Sequence, residues 1–209
     1  MRPATMRILL GAALAAVCGC GGTKTWMPPR IDLQAFRRIG LVEFSSNAEG
    51  RLPTLASQDF LQKLQAAQPG VPVLELGGED RVLRAIGRDK VDPEAIRAIG
   101  KKFDVDAVII GNLEVTEAKP RLDVKQVFST IDVRADVEAA LTARILEAEN
   151  GATLWTRSAR STETIAKAGL GRDGNIRIGA ADPEATYGNL VQDLVDNLTQ
   201  DFLPYWVEQ

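Results

Sequence analysis

Ile131-Asp-Val-Arg-Ala-Asp-Val-Glu-Ala-Ala-Leu-Thr-Ala-Arg-Ile145 places an apolar residue at every odd position and a polar one at nearly every even position. Successive side chains of a strand point to opposite faces. Period-two alternation over this length therefore predicts an antiparallel strand with one face on a core and one in water. Asn150-Gly151 follows, and both residues tolerate positive φ, which suits a hairpin turn. Residues 153–165 then read as the returning partner strand.

Working outward toward the N-terminus, the pattern changes. Residues 106–116 form an apolar run that reads as a buried strand. Asp92-Pro93-Glu94 ahead of it supplies a capping acid, a proline at the first helical position and a carboxylate at the helix's positive end. The helix it starts would bury Ile96, Ile99 and Phe103. Residues 79–87 read as a short helix carrying Val82, Leu83 and Ile86, and residues 71–76 as a strand. Leu52, Ala56, Phe60, Leu64 and Ala67 recur at helical spacing before Pro69-Gly70 ends that helix. Residues 39–45 are a first buried strand.

Toward the C-terminus, residues 168–181 contain Gly169, Gly171, Gly174 and Gly179 and read as a mobile loop. Asp182-Pro183-Glu184 starts a last helix that would bury Tyr187, Val191, Leu194, Leu198 and Phe202. The resulting order is β-α-β-α-β-β-β-α. It predicts a single α/β domain over residues 38–209, with a mixed parallel and antiparallel sheet backed by helices.

The 209 residues carry a formal charge of −3, with 45% hydrophobic and 25% charged side chains. This allows a buried core and gives no basic footprint for nucleic acid. There is no histidine, and the two cysteines are Cys18 and Cys20. The domain therefore lacks imidazole bases, imidazole and thiolate metal ligands, and thiol nucleophiles. No cofactor or metal is implied.

The first twenty residues read differently. Arg2 and Arg7 precede an apolar run from Ile8 to Val17. Ten residues are too few to span a bilayer, which takes roughly 20, but they fit the hydrophobic region of a secretory signal peptide. Val17-Cys18-Gly19-Cys20 resembles the lipobox of bacterial lipoproteins: an aliphatic residue, a tolerant position, a small residue and a cysteine. The expected arrangement is a signal peptide over 1–19, a lipidated Cys20 and a tether over 20–37, with Cys18 the alternative acceptor. In that family the chosen cysteine becomes an acylated N-terminus, and the resemblance implies attachment to the outer membrane with the domain facing the periplasm.

Three stretches add a second resemblance: residues 39–45 (Ile-Gly-Leu-Val-Glu-Phe-Ser), residues 99–111 (Ile-Gly-Lys-Lys-Phe-Asp-Val-Asp-Ala-Val-Ile-Ile-Gly) and residues 143–155 (Ala-Arg-Ile-Leu-Glu-Ala-Glu-Asn-Gly-Ala-Thr-Leu-Trp). Behind a lipobox and in this order, they resemble the curli production assembly/transport component (CsgG-like) superfamily. That superfamily includes activator lipoproteins of penicillin-binding proteins and the similar N-terminal domain of TolB. The resemblance implies a non-catalytic periplasmic domain that binds another envelope protein. An oligomeric secretion-channel subunit and a carboxylate-only glycan hydrolase are the alternatives.

Individual candidates sort accordingly. Gly169-Leu-Gly-Arg-Asp-Gly174 spells G-x-G-x-x-G, but it follows the last strand instead of opening a helix after the first. Asp104 and Asp106 form a carboxylate pair at a helix-to-strand junction, where acids commonly make caps. Trp155, Tyr205 and Trp206 are candidate partner contacts, with a core role the stronger reading for Trp155. Membrane hairpins need strands with an apolar side. Residues 131–145 qualify, but neither alternating set within 153–165 does, and 121–130 is highly charged, so no membrane-spanning barrel is expected.

Overall fold

The computed structural model describes residues 24–48, 50–116, 119–125, 130–170, 176–180 and 183–208. In chain order the elements are β1 (Lys24–Met27), a 3-10 turn at Leu33–Ala35, β2 (Ile39–Glu43), β3 (Ser45–Ser46), α1 (Leu52–Ala67), β4 (Val73–Gly78), α2 (Glu79–Ile86) and α3 (Pro93–Phe103). There follow β5 (Ala107–Val115), β6 (Lys119–Lys125), β7 (Thr130–Glu147), β8 (Thr153–Leu170), β9 (Ile176–Ala180) and α4 (Pro183–Thr199). A 3-10 turn at Gln200–Phe202 and β10 (Tyr205–Glu208) complete the chain. Two units result: residues 29–203, and a small one whose described part is residues 24–28 and 204–208.

The larger unit is the expected mixed α/β domain. Its sheet runs β4-β2-β5-β7-β8-β9, with β3 added to β5 and β6 added to β7. β4, β2 and β5 are parallel, and β5, β7, β8 and β9 are antiparallel. Two cores explain why β2 and β5 read as unbroken apolar runs while β7 alternates. On one face Ile39, Leu41, Ile109 and Leu113 join Leu141 and Ile145 of β7 beneath α1 and α4. On the other, Val42, Val108, Ile110 and Leu146 pack with Val82, Ile96 and Ile99 of α2 and α3. β2 and β5 are thus buried on both sides, and most of β7 on one.

The helix starts are those the sequence specifies. The Asp92 carboxylate accepts the Ala95 N–H at 2.8 Å, and Pro93 takes the first helical position. α1 buries Ala56, Phe60 and Leu64 as spaced. An aromatic chain crosses the larger core: Phe44 to Phe60 at 5.3 Å between centroids, Phe60 to Phe202 at 6.1 Å, and Phe202 to Trp155 at 4.9 Å. Gly111 makes room for it, since a Cβ there would lie 2.6 Å from the Phe44 ring.

Three expectations are corrected, and one strand is added to the expected order. The tether over 20–37 is interrupted, because Lys24–Met27 is a strand and Leu33 is fully buried. The loop over 168–181 is a hairpin at both ends: β8 continues to Leu170, and Ile176–Ala180 pairs with it. Glycines there hid the short alternation of Ile176, Ile178 and Ala180. Residues 119–125 form a strand on β7 despite their charge, because the charges occupy alternate positions. Finally, the turn after β7 is not a two-residue one. The Gly151 N–H donates to Glu147 O at 2.9 Å across Ala148–Gly151, and only Gly151 has positive φ, at 77°.

Gly151 is doubly constrained, because a Cβ there would also lie 2.7 Å from Pro93 at the start of α3. Gly151→Ala is expected to cost about 2–3 kcal/mol through left-handed backbone strain and overpacking. A lowered denaturant midpoint at unchanged slope would show it.

Candidate functional site

The catalytic candidates resolve into structural ion pairs. Asp104 ends α3 in the left-handed region at φ 55°, which an aspartate tolerates. Its carboxylate takes both arms of the Arg37 guanidinium, at 2.8 and 3.0 Å, and Arg38 approaches at 3.2 Å. Asp106 accepts the Arg37 backbone N–H at 2.8 Å. Hydrogen bonding and charge from Arg37 hold the Asp104 carboxyl below its ordinary range. The pair therefore clamps the entry of β2 to the entry of β5, with both carboxylates engaged by Arg37.

Trp155 resolves to the core reading: it is 7% exposed, and its indole Nε1–H donates to Asp201 Oδ2 at 3.1 Å. Asp201 gathers more. Its other oxygen lies 2.6 Å from Arg157 and 3.6 Å from Arg30, and its backbone carbonyl accepts the Arg30 N–H at 3.0 Å. Burial works against the charged carboxylate, but the bonds from Arg157 and Trp155 and the charge of Arg30 outweigh it and lower the pKa. Beside this cluster, buried Gln68 donates to Ile31 O and Phe202 O and accepts the Leu33 N–H at 2.7 Å. Together they tie both ends of the larger unit to α1 and β8.

Tyr205 and Trp206 lie on β10 of the small unit. Trp206 is 64% exposed, and the strand register sets it directly opposite Trp26, itself 54% exposed. Trp26 escaped the sequence reading because it lay inside the expected tether. Nothing local marks a strand whose partner is 180 residues away.

The second feature that sequence missed is the outer part of the sheet. The β7 members of the core run from Val137 to Ile145. Before Val137, β7 continues between β6 and β8, with β9 beyond β8. A bulge decides the pattern there. Asp136 pairs with Thr164 but Ala135 with Ala166, leaving Ile165 as the extra residue. A single inserted residue shifts the alternation of a strand by one. Beyond it the register yields the rows Pro120–Ala135–Ala166–Ala180 and Leu122–Val133–Ala168–Ile178, then Val124–Ile131 and Leu170–Ile176. The rows between them are Arg121–Arg134–Lys167–Gly179 and Asp123–Asp132–Gly169–Arg177. Four strands thus share one apolar set of rows and one largely charged set. Residues 153–165 show no apolar side because that stretch ends at the bulge, beyond which the parity changes.

No protein-family model matches the chain, and no curated protein does. Its fold is similar to several solved structures at low identity. The PelC dodecamer from Paraburkholderia phytofirmans is 13% identical, with 87% of this chain and 96% of that one covered at a TM-score of 0.44. Lipoprotein GNA1162 from Neisseria meningitidis is 20% identical, covering 78% of this chain and 97% of that one at 0.40. The LpoB C-terminal domain from Salmonella enterica is 9% identical, covering 59% and 81% at 0.36. At these scores the likeness fixes no function for this chain. Among the described residues, no helix is long and apolar enough to cross a membrane, which says nothing of strands.

The Asp201 cluster generates a pH dependence. A carboxylate whose pKa is depressed on folding stabilises the fold above its unfolded value and loses that contribution as pH falls through the folded value. Stability is therefore expected to decline on acidification below about pH 4. Asp201→Asn is expected to cost about 1–3 kcal/mol at pH 7 and to flatten part of that decline. Denaturation midpoints of both proteins from pH 7 to pH 3 check this.

Proposed function

We propose that this chain is a lipid-anchored protein of the bacterial cell envelope that works by binding another envelope protein and not by catalysis. Cys20 carries the acyl chains, the outer membrane holds them, and the domain faces the periplasm. The observation that supports the binding role is the segregation of β6–β9 into apolar and charged rows beyond Val137. Apolar rows of this kind gain free energy when covered, at roughly 25 cal/mol per Å². Here the cover is a partner chain. The lipidation rests on the lipobox-like residues 17–20. Several acyl chains hold a protein on a membrane where one does not.

A second reading, a subunit of an oligomeric channel, is favoured by the same rows, since barrel strands alternate an apolar side with a polar one. Copies would join β6 of one to β9 of the next. Strand length weighs against it. A tilted spanning strand takes about 9–11 residues, whereas among the described residues β6 has seven and β9 five. Pro120 on β6 also lacks a backbone donor.

Crosslinking in intact cells, followed by purification on a C-terminal tag, tests the two. The binding reading predicts one recurrent envelope protein whose recovery drops in Val133→Glu. Self-crosslinked rings that conduct ions in vesicles would overturn it in favour of the channel. Mass spectrometry of the N-terminal peptide tests the anchor separately: the acyl mass is expected on Cys20.

A further inference from the structure

β1 and β10 form a two-stranded antiparallel ribbon with Lys24 opposite Glu208, Thr25 opposite Val207, Trp26 opposite Trp206 and Met27 opposite Tyr205. Residues directly opposite share a face. One face therefore holds both tryptophans, capped at its open end by the Lys24–Glu208 ion pair at 3.4 Å. That pair is exposed on both sides and adds little stability. Met27 and Val207, on the other face, are also exposed, at 36% and 38%. Two strands alone are marginal in water. A ribbon of eight residues with its largest side chains exposed needs a surface to lie on.

Chain length says which surface. Three residues separate Cys20 from Lys24, and the four steps between their Cα atoms span at most about 14 Å when fully extended. On the reading that Cys20 is acylated, the ribbon cannot leave the neighbourhood of the lipid headgroups. We propose that the Trp26–Trp206 face is a membrane-interface contact, seated among the headgroups and upper acyl carbons next to the lipid anchor. Indoles suit that position, because their rings favour the apolar side and their N–H groups the wet side. With one cation and one carboxylate, the ribbon itself carries no net charge. The contact is hence of the aromatic kind and does not depend on anionic lipid. It rests on the lipidation reading and adds to it a second attachment, which fixes the chain at the exit of the acyl chains.

The test uses the full chain, processed in cells, purified in detergent and reconstituted into phosphatidylcholine vesicles with and without acyl chains brominated near the headgroup. The N-terminal mass is measured on the same sample. Trp155 is buried in the domain, so it serves as an internal reference among the three tryptophans. Brominated lipid is expected to quench about half or more of the emission, as two of three indoles would touch lipid. Trp26→Phe with Trp206→Phe should abolish the quenching while anchoring persists. Acylated protein whose emission ignores brominated lipid would overturn the interface contact and leave the anchor standing. Protection from aqueous iodide without lipid quenching would assign the ribbon to a contact with protein, such as a second copy of this chain, which also overturns it. Absence of an acyl mass would overturn both.

Discussion

The ladder between β7 and β8 carries the architecture. The two strands have eighteen residues each, and their register runs from Leu146 opposite Thr153 to Asp132 opposite Gly169. Near the hairpin, the odd residues of β7 complete a core that α1 and α4 close. Farther out, the same alternation continues past Val137 with β6 and β9 as neighbours. One sequence rule, apolar at every second residue, thus builds the domain at one end and an amphipathic sheet at the other. The bulge at Ile165 allows this: without it, β8 would present Glu163-type parity to the apolar rows throughout.

A second constraint acts at the chain ends. Gln68, at the end of α1, bonds to the backbone at Ile31, Leu33 and Phe202, and Asp201 holds Arg30, Arg157 and Trp155. These bonds bring residues 30–33 and 200–203 together on the larger unit. The same two segments lead into β1 and β10, which pair with each other. The segment after Cys20 and the segment after Phe202 therefore share one ribbon, and that pairing sets Trp26 and Trp206 opposite each other on one face.

Local signals were legible in the sequence. Asp92-Pro93, the 3.6-residue spacing from Leu52 to Leu64 and the alternation from Ile131 to Ile145 each specify their element, since cap chemistry and periodicity act over a few residues. What escaped depends on distant partners. β6 has three charged side chains among Lys119–Asp123 and reads as a strand only beside β7. β9 is five residues among glycines. Trp26 finds Trp206 across the whole chain. The bulge leaves no mark in composition at all, so the parity of Ala166, Ala168 and Leu170 could be assigned only from the register. Asp104 and Asp106 were legible as junction acids, but Arg37 as their partner was not.

The central claim is that the apolar rows of β6–β9, and not the charged rows between them, meet a partner protein. A photo-crosslinking amino acid placed singly at Ile178 and at its neighbour Arg177 in intact cells tests it most directly. The account predicts a crosslink to an envelope protein from position 178 and little or none from 177. Equal crosslinking at both positions, or at neither, would contradict it.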